Sequence, residues 1–581
     1  MNEQAEYRVC EIRGGSRRVK ADPWFDGGLP VVIDEASAGD VEDGDLALVG
    51  IPSRGRAWVE VPLGPSTHIE SVLDGLLFER GAAWPREEDS DASAEARLAA
   101  AEPTDHMGRV DLRQLPTVTI DPESARDFDD AISVSPEGSG WRVWVHIADV
   151  SAYVKSGGAL DDWARARAFS TYVPGRVSPM LPEVLSAGAC SLRPDRDRWC
   201  LTTELLLDEQ ASVVTTTIYR SVIRSAARLS YAEAEQLVKG GSASPSMEVA
   251  TTVRNAAIVS ERLRARRFER GAMRLERPEI TVHLVGDGDV ARALWEAESD
   301  AHALIEELMI LTNETVARFL SDASSEALYR VHPDPGPQSV IALISKLSAL
   351  DVPTPPQPEH LTPRGAATLA ARVVDSVAKY TRRHSRGVET LNSLVLRSLE
   401  RARYEPNDRG HSGLAISAYC HFTSPIRRYP DLVCHRAVLA RLGVESAVAE
   451  PDLAQLGEHC SERERELAKI EHEANDVCLA WLLDDVLYER GWEAAFDGEV
   501  IGVIKSGLFV RFGDVFEGYL PARGLAGDYF DLDELAVSLV GRRFGSRFRL
   551  TDSIAVRVDT IDKATGKIKL ALCGNSGAPI S

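Results

Sequence analysis

Residues 1–62 alternate short apolar runs, at 7–12, 29–33, 45–49 and 57–61, with turns rich in Gly, Asp and Ser. Runs that short, joined by tight turns, predict a small β-barrel. The texture then changes. A helical period marks 68–78, and the acidic, small-residue stretch at 85–96 predicts a linker. Apolar runs at 131–134 and 141–147 flank a turn bearing Pro and Gly, the pattern of a β-hairpin. Residues 160–169 are helical by period, and the helix must end ahead of Pro174, because proline disfavours helical geometry in the residue before it. Ala301, Leu304, Ile305, Leu308, Met309, Val316 and Leu320 line one face of a long helix over 299–320. Charged helices over 452–490 give way to five short strands between 496 and 570, the strand count of a second small barrel.

The 581 residues suffice for several domains, and 44% hydrophobic residues with ten tryptophans predict folded cores. The first residues lack the basic start and apolar stretch of a signal peptide, and no apolar run reaches membrane-spanning length. A cytoplasmic protein with no membrane partner is expected. Eight cysteines without a C-x-x-C pair fit buried thiols in a reducing compartment and argue against a zinc ribbon.

Candidate chemistry concentrates in Thr119-Ile-Asp-Pro-Glu-Ser-Ala-Arg-Asp-Phe-Asp-Asp130, where Asp121, Asp127, Asp129 and Asp130 lie within ten residues. Two carboxylates about 4 Å apart repel by roughly 4 kcal/mol at an effective dielectric of 20, so a fold that gathers several must supply protons or cations. Carboxylates without neighbouring Cys or His are hard ligands, which favour Mg2+, with Mn2+ as the alternative, over zinc. The stretch lacks the glycine and glutamate an EF-hand loop requires. A solvated acidic turn is the competing reading. His146 sits inside an apolar strand and reads as structural.

Four further blocks follow in order: Trp144-Val-His-Ile-Ala-Asp-Val-Ser-Ala-Tyr-Val154; Ser178-Pro-Met-Leu-Pro-Glu183 with Cys190-Ser-Leu192; Ala301-His-Ala-Leu-Ile-Glu-Glu-Leu-Met309; and His421-Phe-Thr-Ser-Pro-Ile-Arg-Arg-Tyr-Pro-Asp431. Together with the aspartate stretch they resemble the signature of the ribonuclease II and ribonuclease R exoribonucleases. The resemblance implies a multidomain α+β protein, with a central RNB catalytic domain of mixed α/β flanked by small OB-fold barrels. The expected boundaries are an N-terminal OB or cold-shock-like barrel at 1–62, a helix and acidic linker at 63–106, the RNB domain with trailing helices at 107–490, and a C-terminal OB-fold RNA-binding domain at 491–575. The family usually has an aromatic where this chain has Ser412.

The implied activity is processive 3′-to-5′ hydrolysis of single-stranded RNA to nucleoside 5′-monophosphates, in RNA degradation or processing. Asp129 and Arg427 match the family's catalytic carboxylate and arginine, and Asp121, Asp127 and Asp130 are the metal ligands. A planar guanidinium can clamp phosphate through two parallel hydrogen bonds, which lysine cannot copy. Tyr172 matches the tyrosine that packs on the terminal nucleotide. Arg428 is a further RNA contact, with an ion pair to Asp431 as its competing fate. In the C-terminal barrel Phe509, Phe512 and Tyr529 are expected to stack on bases, with Lys505 and Arg511 on phosphates. Arg13, Arg17, Arg18 and Lys20 suit phosphate contacts or a solvated loop. A net charge of −23 runs against the usual basic surface of nucleic-acid binders, unless the cations line an internal channel. Two other readings stand beside the exoribonuclease: an inactive RNA-binding regulator of the same fold, and a metal-dependent nuclease that also acts on DNA. The family suggests a monomer.

Overall fold

The computed structural model describes residues 5–14, 19–39, 41–85, 87–100, 106, 108–241, 246–274, 279–285, 289–296, 298–323, 325–444, 452–525 and 527–573. At its centre is a seven-stranded mixed sheet in the order Ala227–Ser230, Val118–Asp121, Asp130–Glu137, Gly140–Ala148, Asp197–Leu207, Val213–Arg224 and Val110–Asp111. The first and last pairings are parallel and the rest antiparallel. The predicted hairpin is present, with Glu137 opposite Gly140 across a two-residue turn. Glycine is required at 140, since a Cβ there would stand 2.0 Å from the Leu207 carbonyl oxygen.

Helices Met247–Glu269 and Asp300–Ser321 lay Val249, Val253, Val259, Leu304, Leu308 and Val316 on Ile132, Val134, Val143 and Val145 of this sheet. Both begin with a serine cap: the Ser246 hydroxyl accepts from the Val249 amide at 3.2 Å, and Ser299 does the same for His302 at 3.3 Å. His146 is fully buried between Ser133 and Thr202, and burial alone pushes its imidazole down to about 3, so it stays neutral inside the sheet.

The N-terminal sheet runs Val31–Val32, Lys20–Pro23, Ala5–Arg13, Asp45–Pro52 and Trp58–Pro65, and a parallel bridge between Ile33 and Ala57 joins its edges. It extends past the expected boundary at 62, and helix Ile69–Glu79 shares its core through Leu73 and Leu76. The acidic stretch expected to be a linker is ordered instead. Glu87–Asp89 forms a 3-10 turn and Asp91–Ala99 an α-helix, capped by Ser90 accepting from Ser93 at 3.1 Å. Ala92 and Ala96 are buried, Glu95 accepts from the Leu160 amide at 3.1 Å, and Glu87 pairs with Arg167. Its small residues serve close packing rather than flexibility.

Residues 337–398, where the sequence pattern predicts nothing definite, fold as helices Pro337–Ala349, Pro363–His384 and Val388–Ser398. The charged region is one helix, Leu453–Arg490. Beyond it Ala495–Ile504, Gly507–Phe512, Phe516–Pro521, Lys567–Leu572 and Ser553–Asp562 close a five-stranded barrel, with a three-stranded sheet at Phe530–Leu532, Ser538–Gly541 and Arg547–Arg549 inserted between its third and fourth strands in sequence. Its core is continuous with Leu479, Leu483 and Leu487 of the long helix and with Val373, Val377 and Leu391. No described helix is long and apolar enough to cross a membrane. All eight cysteines are free, seven of them buried.

Candidate active site

Asp121 ends one strand of the central sheet and Asp130 begins its antiparallel neighbour, so residues 122–129 form a loop that turns back at the sheet's end. The loop is pinned at several points. Phe128 donates from its amide to Ser191 Oγ at 3.1 Å, the Leu192 amide donates to the Phe128 carbonyl at 3.0 Å, and the Ser191 hydroxyl donates to the Arg126 carbonyl at 2.8 Å. The Cys190-Ser-Leu192 block thus serves as the brace of the aspartate loop. The Ala148 amide holds the Asp129 carbonyl at 2.9 Å from the hairpin side.

The second component is the turn 424–428. The Arg427 and Arg428 amides both donate back to the Ser424 carbonyl, at 3.3 and 3.0 Å, and helix Tyr429–Arg441 starts next with Pro430 in its first turn. This turn docks on the aspartate loop: the Ile426 amide donates to Asp129 Oδ1 at 2.8 Å, and Arg427 Nε lies 3.6 Å from Asp129 Oδ2. The Arg427 side chain remains 46% exposed, so its guanidinium is open to a ligand.

Arg428 points elsewhere. Its Nε and Nη2 hold Asp431 at 2.9 and 2.8 Å, and Asp431 also accepts from the Ser424 amide at 2.8 Å. Asp431 is fully buried, so the pair fastens the turn to its helix, and the expected RNA contact at Arg428 is corrected to this structural one. Ser412, in place of the family's usual aromatic, bonds His332 Nδ1 and donates to the Pro333 carbonyl, both at 2.8 Å.

Tyr172, on the short strand Thr171–Val173, donates its hydroxyl to Asp127 Oδ2 at 2.7 Å, and its amide donates to Glu471 Oε1 at 2.8 Å. Burial and the Asp127 charge hold its phenol well above the usual range. Tyr172 as a whole is still 37% exposed. Asp121, Asp127, Asp129, Asp130, Arg427 and Tyr172 therefore meet at one end of the sheet.

Burial and crowding of like charges strain the electrostatics of the cluster. Burial, then the charge on Asp130, push Asp121 up to about 7. Burial pushes Asp130 up to about 6 against the pull of Arg427 and Arg428, and raises Asp129 well above the carboxylate range despite Arg427. Asp121 Oδ2 and Asp129 Oδ2 are buried with no hydrogen-bond partner. Buried carboxylate oxygens without hydrogen-bond partners are hard donors that fit a magnesium ion. Among the described residues no three His, Cys, Asp or Glu side chains already converge as a coordination shell. Magnesium needs fewer, since it commonly keeps waters and takes one or two carboxylates plus substrate phosphate oxygens.

A family model described as the RNB domain matches residues 109–443. Ribonuclease R of Escherichia coli K12 is 37% identical over 493 residues, covering 81% of this chain and 58% of that protein. Ribonuclease R of Thermotoga maritima is 36% identical over 521 residues, covering 87% and 71%. This chain belongs to the ribonuclease II/R family. Mycoplasma genitalium RNase R in its apo form shares the fold of this RNB protein with a TM-score of 0.87 at 23% identity, over 98% of this chain and 90% of that one. The same Mycoplasma protein in complex with ribose-methylated single-stranded RNA gives a TM-score of 0.86, with the same identity and coverage. The RNB chain described here spans less than two thirds of the length of several curated relatives, 58% in the E. coli case.

Two residues at this RNB site escape the sequence reading. Glu471 lies on a helix whose charged texture looks uniformly solvated, yet it anchors the strand that carries Tyr172. Tyr231 opens helix Tyr231–Val238, stacks on His302 with ring centroids 3.7 Å apart, and feels the charges of Asp130 and Asp121. It arrives there because Ala227–Ser230 pairs in parallel with Val118–Asp121, a long-range register with no local signal.

The C-terminal barrel divides its candidates by strand alternation. Phe509 is 41% exposed and Lys505 is exposed in the turn before its strand, while Phe512 is 1% exposed and packs edge-on against Phe496 at 5.4 Å. Phe512 is core, so stacking on bases is corrected at that position. Arg511 faces outward but is tied to Glu517 at 2.9 Å and to Glu389, with its guanidinium 5.2 Å from the Trp295 ring, so it is not a free phosphate ligand. Tyr529 is 70% exposed. Arg13 and Lys20 pair in register across the N-terminal sheet, and Arg17 and Arg18 lie outside the described residues.

Proposed function

We propose that the chain is a processive 3′-to-5′ exoribonuclease that hydrolyses single-stranded RNA to nucleoside 5′-monophosphates. The observation that carries this is the docking of the 424–428 turn on the aspartate loop, which brings a half-exposed arginine to 3.6 Å from a buried carboxylate within a cluster of four. Membership of the family and the RNA-bound state of the Mycoplasma relative support RNA as the substrate.

In this reading Tyr172 stacks on the terminal nucleoside, a contact of roughly 1–3 kcal/mol per base. Arg427 clamps the scissile phosphate and balances charge as the leaving oxygen departs. The Ile426 amide fixes Asp129 so that its second oxygen faces the phosphate. Asp121, Asp127 and Asp130 would hold magnesium, or manganese, which supplies Lewis-acid polarisation of phosphate and lowers the pKa of water when bound. Lys505, Phe509 and Tyr529 guide the RNA upstream. Free thiols throughout suit a cytoplasmic enzyme, and we take the monomer as its working state.

The test is digestion of matched RNA and DNA 20-mers with magnesium or EDTA. Mononucleotides from RNA alone, and only with magnesium, are expected. Equal cleavage of DNA would make it a general nuclease, and tight RNA binding without cleavage would make it an RNA-binding regulator.

A further inference from the structure

With 66 Lys and Arg against 89 Asp and Glu, a surface region of net positive charge departs from the average of this chain. One such region is a cleft of about 960 Å3 between residues 268–274, helix Pro363–His384 and the segment 409–417. Seven cationic side chains face three carboxylates along its walls. Arg364, Arg372, Lys379 and Arg382 come from the helix, and Arg274 and Arg409 stand among the residues opposite.

The helix is built for this arrangement. Its apolar residues Leu369, Val373, Val374 and Val377 are buried, while all four cations are exposed. At 100° per residue the four fall within a sector of about 80°, and at 1.5 Å per residue the stripe is about 27 Å long. Arg364, Arg372 and Lys379 form no ion pair with any described residue. Asp375 falls in the same sector, so the stripe carries four cations against one carboxylate, a balance complementary to a polyanion. A single phosphate or nucleotide would engage only a fraction of that length.

The cleft shares Phe268, Arg274 and Arg382 with a neighbouring cavity of about 660 Å3. The basic stripe lies on a different set of elements from either terminal barrel.

We propose that this cleft holds the phosphate backbone of the RNA substrate outside the catalytic site, an inference that rests on the exoribonuclease reading. The test measures binding of a 30-nucleotide RNA and of adenosine 5′-monophosphate by the full chain in EDTA, over a salt series. The variant is Arg364→Glu/Arg372→Glu/Lys379→Glu, with the corresponding triple glutamine variant as a second form should charge reversal impair folding. Three lost phosphate contacts should flatten the slope of log affinity against log salt by about 2 units and weaken RNA binding about 10- to 100-fold at 0.1 M salt. Mononucleotide binding should not change. Wild-type RNA affinity and slope in both variants would overturn the proposal, as would weakened mononucleotide binding with unaltered RNA binding, which would mark a product site. A wild-type chain that binds no RNA at all would overturn the functional reading and the cleft with it.

Discussion

Arg427 and Arg428 are adjacent, identical in type and opposite in fate. Arg427 is half exposed beside Asp129, whereas Arg428 grips a fully buried Asp431 with two nitrogens. Arg427→Lys should lower turnover by at least about 100-fold with little change in Tm, because a point charge cannot copy the planar fork on phosphate. Arg428→Ala leaves a buried carboxylate unpaired and should cost about 3–5 kcal/mol in urea unfolding. If Arg428→Ala spared stability while Arg427→Lys spared turnover, both assignments would fail. At Tyr172 the ring and the hydroxyl separate cleanly. Tyr172→Phe removes the bond to Asp127 and should keep the size of the final oligonucleotide, while Tyr172→Ala should change it. An end product unaltered by Tyr172→Ala, resolved on a sequencing gel, would count against stacking. The carboxylates stand out in sequence as four aspartates within ten residues, and Arg427 through the resemblance of its block to the family signature. Glu471 and Tyr231 are not, since each depends on a distant element meeting the site.

At the scale of elements, the strand-loop-strand carrying the aspartates makes a prediction about pH. Asp121 and Asp130 are both raised in the folded, metal-free protein, to about 7 and about 6. Their contribution to stability is whole below the unfolded carboxylate value of about 3.9 and is lost as pH rises through 6 to 7. Magnesium favours the ionised carboxylates, so the rise in Tm on adding it should be small at pH 5.5 and larger at pH 8. The same rise at both values, by scanning fluorimetry, would detach the metal from these groups. On the C-terminal barrel, strand alternation leaves Phe509 outside and Phe512 inside, and Lys505 is exposed in the turn before that strand. Lys505→Ala should lower the salt slope of long-RNA binding by about 0.7, and Phe509→Ala should weaken affinity by about 1–3 kcal/mol with no change in slope. The acidic stretch near residue 90 shows where composition misleads: alanines that suggest a flexible linker are the ones that let helix Asp91–Ala99 pack closely.

For the molecule as a whole, the blocks between 119 and 431 mark the RNB domain in sequence, while domain borders are less legible because they follow cores rather than textures. The β-rich pattern after Gly491 looks like a separable unit. Phe496, Val500 and Leu508 nevertheless share one apolar core with Leu479, Leu483, Leu487 and Leu391, so cutting there would expose core on both sides. The net charge of −23 likewise hides a local basic cleft, since a sum over the chain says nothing about where charges sit. The central claim is that the aspartate cluster with Arg427 hydrolyses RNA rather than merely binding it. The most direct test is Asp129→Asn, which keeps the shape of a carboxylate whose pKa is already raised by burial. Measured side by side on a 3′-tailed RNA with magnesium, it should bind within a few-fold of wild type while turnover falls by at least about 10³, the scale of losing one charge-stabilising or acid-base group. Wild-type turnover in this variant would contradict the account.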